Sequence, residues 1–177
     1  EATRDDLTDV EQTLDLWNGV LRSRFRIEGE PVAVETLCHP ALDLVAVRVV
    51  SRLVGLGRIA VRLRFPYGTG AATAADWTRP EAHETRIARQ TPTSAALDRR
   101  LDDDRNHVRI AWAPEAAFVQ EERHAFVLVP GHGHESLEAA IGFTPTPGRP
   151  ILPVAMARLA IAITAVVPWL CSVTPSP

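Results

Sequence analysis

Apolar residues recur at every second position over long stretches of this chain. Leu21, Ser23, Phe25 and Ile27 alternate with Arg22, Arg24, Arg26 and Glu28, the period of a strand with one buried and one charged face. Leu14 to Phe25 reads as a β-hairpin turning at Asn18-Gly19, residues that tolerate the positive φ of a two-residue type I′ turn. Such a loop sets Leu16 opposite Leu21 and Asp15 opposite Arg22. A second two-residue turn at Gly29-Glu30 sets Ile27 opposite Val32, Phe25 opposite Val34, Leu21 opposite Cys38 and Arg24 opposite Glu35. Pro31 lacks the N–H that would close this turn, which leaves a wider loop open as an alternative. Cys38 is then expected as a small buried thiol on the apolar face.

Leu44 to Val50 is apolar throughout except for Arg48, the texture of a strand covered on both faces. In Arg58 to Phe65, Ile59, Val61, Leu63 and Phe65 alternate with Arg58, Arg62 and Arg64. Shorter strands are expected over 84–90, 97–101, 108–112, 117–120, 124–129 and 136–143. Turn chemistry separates them at Thr91-Pro92, Asp102-Asp103-Asp104, Ala113-Pro114 and Pro130-Gly131-His132-Gly133. Many short strands punctuated at this spacing predict an all-β fold, an antiparallel sandwich of ten or more strands. Trp17 and Trp112 are expected in its core. One domain is expected over 1–147, followed by a Pro-rich linker and apolar tail over 148–177. The clean apolar run of that tail, Leu159 to Val167, falls well short of the about 20 residues that span a bilayer.

Composition narrows the functional classes. The 177 residues are 46% hydrophobic and 23% charged, with a formal charge of −3 and no Lys among the basic side chains. That is enough apolar matter for one core and too little positive charge for a phosphate-tracking surface, so neither nucleic acid nor membrane is expected as a partner. Cys38 and Cys171 are too few for a disulfide framework. The first residue, Glu1, opens no basic or apolar leader. The compartment stays open, with the cytoplasm slightly favoured.

The candidate chemistry gathers in residues 66–86, the longest stretch without alternation, since long loops in compact domains are often functional. Tyr67, Asp76, Trp77, Arg79, Glu81 and His83 are candidate substrate contacts, because aromatic faces stack on sugar rings while carboxylates and guanidinium groups bind hydroxyls in pairs. Asp76, Glu81 and Glu84 have no regular spacing that would hold two carboxylates at glycosidase separation, so no catalytic residue is assigned. His132 and His134 share a strand face but lack a third ligand, and are expected in a turn. Asp102, Asp104 and Asn106 imitate the start of a calcium loop, but His107 stands where Gly is required and Ala113 where the bidentate Glu belongs. Metal and cofactor are therefore expected to be absent. Arg22, Arg24 and Arg26, with Arg58, Arg62 and Arg64, are expected to form a basic sheet face, salt-bridged or docked on another domain.

The run LDLWNGVLRSRFRIEGEPVAVETLCHPALDLVAVRV, with FPYG and DWTRPEAHETRI after it, resembles the N-terminal β-sandwich of bacterial (α/α)6 six-hairpin glycoside hydrolases. It is similar to the family 65 group, whose Asn-Gly-x-Leu hairpin is matched by Asn18, Gly19 and Leu21. The resemblance covers about residues 10–147. It implies a super-sandwich that is a non-catalytic accessory module of an enzyme acting on oligosaccharides, packing against an (α/α)6 toroid that carries the catalytic groups. No toroid follows in this chain, which reads as truncated, with residues 154–177 as native continuation or a frame-changed tail. The alternative is a self-standing carbohydrate-binding sandwich.

Overall fold

The computed structural model describes residues 3–70, 72 and 74–146; the linker, the tail and Cys171 lie outside them. Thirteen strands follow in order. β1 (Leu7–Asp15), β2 (Val20–Ile27), β3 (Glu30–Cys38) and β4 (Leu44–Val50) form successive hairpins. After the one-turn helix α1 (Arg52–Gly55) come β5 (Val61–Arg64), β6 (Tyr67–Gly68) and β7 (Ala75–Asp76). A 3-10 turn at Pro80–Ala82 leads into β8 (His83–Thr91), β9 (Ser94–Leu101) and β10 (Asp104–Trp112). β11 (Ala117–Glu122), β12 (Ala125–Val129) and β13 (Ser136–Thr144) are the last elements among the described residues. The large sheet has eight strands in the order β1-β2-β3-β4-β13-β10-β9-β8, and the small sheet three, β11-β12-β5. All pairings are antiparallel, as the alternation predicts.

The two sheets meet through aromatic rings. Trp112 of the large sheet stacks on Phe118 of the small one (5.3 Å), Phe118 on Phe126 (5.4 Å), and Phe65 meets Phe126 edge-on (6.1 Å). Leu97, Val108, Leu137, Val49, Val34 and Val32 complete the seam and are almost wholly withdrawn from water. Trp112 also donates its indole N–H to the carbonyls of Pro92 and Ala116, 3.0 Å each, so its large apolar area is buried without orphaning its one polar atom.

Both hairpin registers differ from expectation by two residues. Asp15 pairs with Val20 and Leu14 with Leu21, which makes the first loop four residues long, Leu16 to Gly19. The carboxylate of Asp15 decides this: Oδ1 accepts from the backbone N–H of Trp17 and of Asn18 (3.1 Å each) and Oδ2 from the Asn18 side chain (2.7 Å). That side-chain turn competes successfully with one more pair of ladder bonds. Leu16 and Trp17 are therefore carried out of the core, 84% and 95% exposed, contrary to the expected Leu16–Leu21 pair and buried Trp17. The second loop is Glu28-Gly29, with Ile27 paired to Glu30. Both loop residues have positive φ, 54° and 78°, the type I′ combination. Pro31 then stands opposite Arg26, one step beyond the turn-closing pair, where no N–H has to close the turn. Phe25 faces Val32, and Arg22, not Arg24, faces Glu35. A slip of two preserves every face, so Phe25, Ile27, Val32 and Val34 are buried as the alternation predicts.

Cys38 is the other departure, for it is exposed. It lies in the row Ile110, Ile141, Val45, Cys38 that crosses the large sheet. That row is buried at Ile110 and Ile141, half-buried at Val45 and open at Cys38. The face is the expected one; the cover above it runs out.

Candidate functional site

Tyr67 pairs with Asp76 in the β6–β7 ladder, which brings Tyr67, Asp76, Trp77 and Arg79 together at the end of the sandwich where β9 turns into β10. Asp76 builds its own turn: Oδ1 accepts from the backbone N–H (2.9 Å) and hydroxyl (2.7 Å) of Thr78. These bonds, the hydroxyl first, hold its carboxyl below the usual carboxylate range. The guanidinium of Arg79 lies 4.4 Å from the centre of the Tyr67 ring, and the Tyr67 hydroxyl donates to both oxygens of Asp102 at 3.1 and 3.0 Å. That hydrogen bond, ahead of desolvation, pushes the Tyr67 phenol up. Arg64 lies 4.7 Å from the centre of the Trp77 ring, leaving Trp77 36% exposed. Glu81 is exposed on the 3-10 turn.

His83 is placed differently from its neighbours in sequence. It is buried, 6% exposed, and its imidazole stacks on that of His124 at 3.7 Å, with Tyr67 at 6.2 Å. Burial, then the nearby His124, Arg99 and Arg123, push His83 down to about 4. The Nε2 of His124 is 2.6 Å from the carbonyl of Pro80, so it is the N–H that donates and the outer segment is tied down there. Arg99 points into the sandwich, its guanidinium 4.5 Å from the Phe65 ring centre, and donates to the Thr85 hydroxyl (3.3 Å) and the Pro66 carbonyl (3.5 Å). Burial pushes its pKa down.

The patch thus joins four of the six expected substrate contacts, Tyr67, Asp76, Trp77 and Arg79, leaves Glu81 exposed on the 3-10 turn and takes His83 beneath it. Asp102, Arg64, Arg99 and His124 were missed from sequence. Asp102 sits in the β9–β10 turn and His124 in the β11–β12 turn; only the pairing of those hairpins brings them here. The unusual signal was Arg99, a charge at an inward position of β9, opposite Thr85.

Arg22, Arg24 and Arg26 line the outer face of the large sheet. Arg22 pairs with Glu35 (3.2 Å), which also meets Arg48 (3.8 Å), and Arg48 meets Glu138 (3.4 Å), a ladder across four strands. Arg26 pairs with Asp9 (3.1 Å). Arg58, Arg62 and Arg64 belong to the other sheet and its approach, so the six arginines form no continuous face. Arg58 pairs with Glu28, and Arg62 with Glu121 at 2.7 Å. An open groove of about 1230 Å³ runs between β5 and the Glu28-Gly29 turn, over Ile27, Leu53 and Ile59; none of the six expected contacts lines it. His132 and His134 are exposed in the turn before β13. Gly131 in that turn approaches the Glu115 carbonyl so closely that a Cβ would lie 2.3 Å from it. Among the described residues no three His, Cys, Asp or Glu side chains converge on a metal position.

The patch places the part-exposed Trp77 ring beside two guanidinium groups and a Tyr–Asp pair. Asp76 and Asp102 are both committed to holding local structure. No protein-family model matches the chain, and no curated protein matches it significantly.

Proposed function

We propose that this chain is a non-catalytic β-sandwich module of a glycoside hydrolase acting on oligosaccharides, packing against an (α/α)6 catalytic domain and lending it the Tyr67–Arg79 patch. The observation that carries this reading is the β1–β2 hairpin, where Leu14, Leu16 and Trp17 are 55%, 84% and 95% exposed. Withdrawing three such side chains from water is worth on the order of 5–10 kcal/mol, and a cluster of this kind at one sheet edge marks a docking surface. Trp77 and Tyr67 favour a second reading, a self-standing carbohydrate-binding sandwich.

Co-purification with an (α/α)6 domain from the same or an adjacent reading frame separates the two. Trp17→Ser is expected to lose the complex while leaving the chain's own urea midpoint unchanged. Oligosaccharide binding by the chain alone, lost in Trp77→Ala, would replace the first reading by the second. Turnover of aryl glycosides by the chain alone at enzymatic rates would sink both.

A further inference from the structure

We propose that the stacked His83–His124 pair is an acid-sensitive latch, which holds the Ala75–Ala82 segment, with Trp77 and Arg79, against the sandwich and releases it as the medium acidifies. The inference is independent of what the patch binds.

The geometry fits a neutral His83. His83 and His124 are 6% and 8% exposed, their ring centres 3.7 Å apart. With the Nε2–H of His124 donating to Pro80, its Nδ1 is a bare acceptor; the Nδ1 atoms of both rings are buried without a partner. A proton arriving on Nδ1 of His83 creates a buried cation whose new N–H meets no acceptor. The surroundings make this worse. Arg99 from β9 and Arg123 from the β11–β12 turn already repel positive charge at His83. The other neighbours on β8 and β6 are the Thr85 hydroxyl and the Tyr67 ring, with Asp102 beyond Tyr67. Arg79 and Glu81 on the 3-10 turn are solvent-exposed. Among the described residues no carboxylate bonds either ring.

Separation of the rings is the cheap response, because the outer segment is lightly held. Beyond the Pro80 carbonyl, it is tied to the sandwich by the two-residue β6–β7 pairing and two arginine–ring contacts. Past His83, β8 is locked to β9 along seven further paired positions, from Glu84 to Thr91. His83 held near 4, against 6.5 when free, makes the open form bind protons first, so opening grows as pH falls from about 6.5 toward about 4. For His83 alone the open population rises about thirty-fold between roughly pH 7.5 and pH 5.

Hydrogen–deuterium exchange of the full chain, corrected for intrinsic rates, tests this over that interval, in which Asp and Glu stay largely ionised. Exchange at Asp76, in the β6–β7 pairing, and at His83, the end position of the β8–β9 ladder, is expected to accelerate by at least ten-fold at the acid end, while amides of β10 and β13 keep their protection. His83→Phe, which keeps a stacking ring, and His124→Gln, which keeps a donor for Pro80, are each expected to flatten the response. Two variants allow for one failing to fold. Equal protection at both ends of the interval, or the same acceleration in a folded variant, would overturn the latch.

Discussion

β8 and β10, the two neighbours of β9, carry histidines on opposite faces, and the two faces treat them in opposite ways. Outside, His107 on β10 meets the carboxylate of Asp98 on β9 at 2.8 Å, and Asp98 in turn meets Arg86 on β8 at 3.0 Å. Inside, His83 meets a second imidazole and two arginines and no carboxylate. One face supplies counter-charge; the other supplies aromatic contact and dehydration. A side chain that titrates near neutrality takes its character from the nearest charge and from the water left around it, not from its strand.

The sharpest way to break this comparison is through its apolar floor. Leu97 is fully buried between Val108 and Ile87 on neighbouring strands, so Leu97→Ala should cost about 2–5 kcal/mol by lost transfer and the cavity left behind, read as a lower urea midpoint at constant slope. A cost no larger than that of an outer-face change would mean that the inner face is not the dry side. Asp98→Asn comes next. Its carboxyl is held below the usual range, chiefly by the hydrogen bond with His107 and also by that with Arg86. A depressed carboxyl contributes stability that is complete above its unfolded value of about 4 and is lost as pH falls through the folded one. The variant should therefore lose about 1 kcal/mol at neutral pH and show a flatter acid limb in thermal melts. Arg86→Ala should be smallest, a few tenths of a kcal/mol, because Arg86 is 68% exposed; an effect matching that of Asp98→Asn would mean that the outer ladder acts as one unit.

The same contrast explains how much of the molecule could be read in advance. The Ser23–Phe25–Ile27 face follows from alternation, because a pleated strand must turn successive side chains to opposite sides, the Leu44–Val50 strand from its continuous apolar run, and the later short strands from the turn residues between them. The Tyr67–Arg79 patch was legible as composition: a long unalternating segment rich in rings and charge. Its inner members were not, since Asp102, Arg99 and His124 lie far away in sequence and converge only once three hairpins have paired.

Alternation, charge and turn residues thus determine that this chain is all-β, antiparallel, and which face of most strands turns inward. They constrain register only to within two, because a two-residue slip leaves every side chain on its own face; Asp15 and Glu28 settle it through local hydrogen bonding and a left-handed backbone. Cover is decided by tertiary structure alone. Whether Cys38 is dry and whether His83 is a surface contact or a buried ring depend on how far a three-stranded sheet extends over an eight-stranded one, and burial is a property of what lies opposite a residue, which no local pattern encodes.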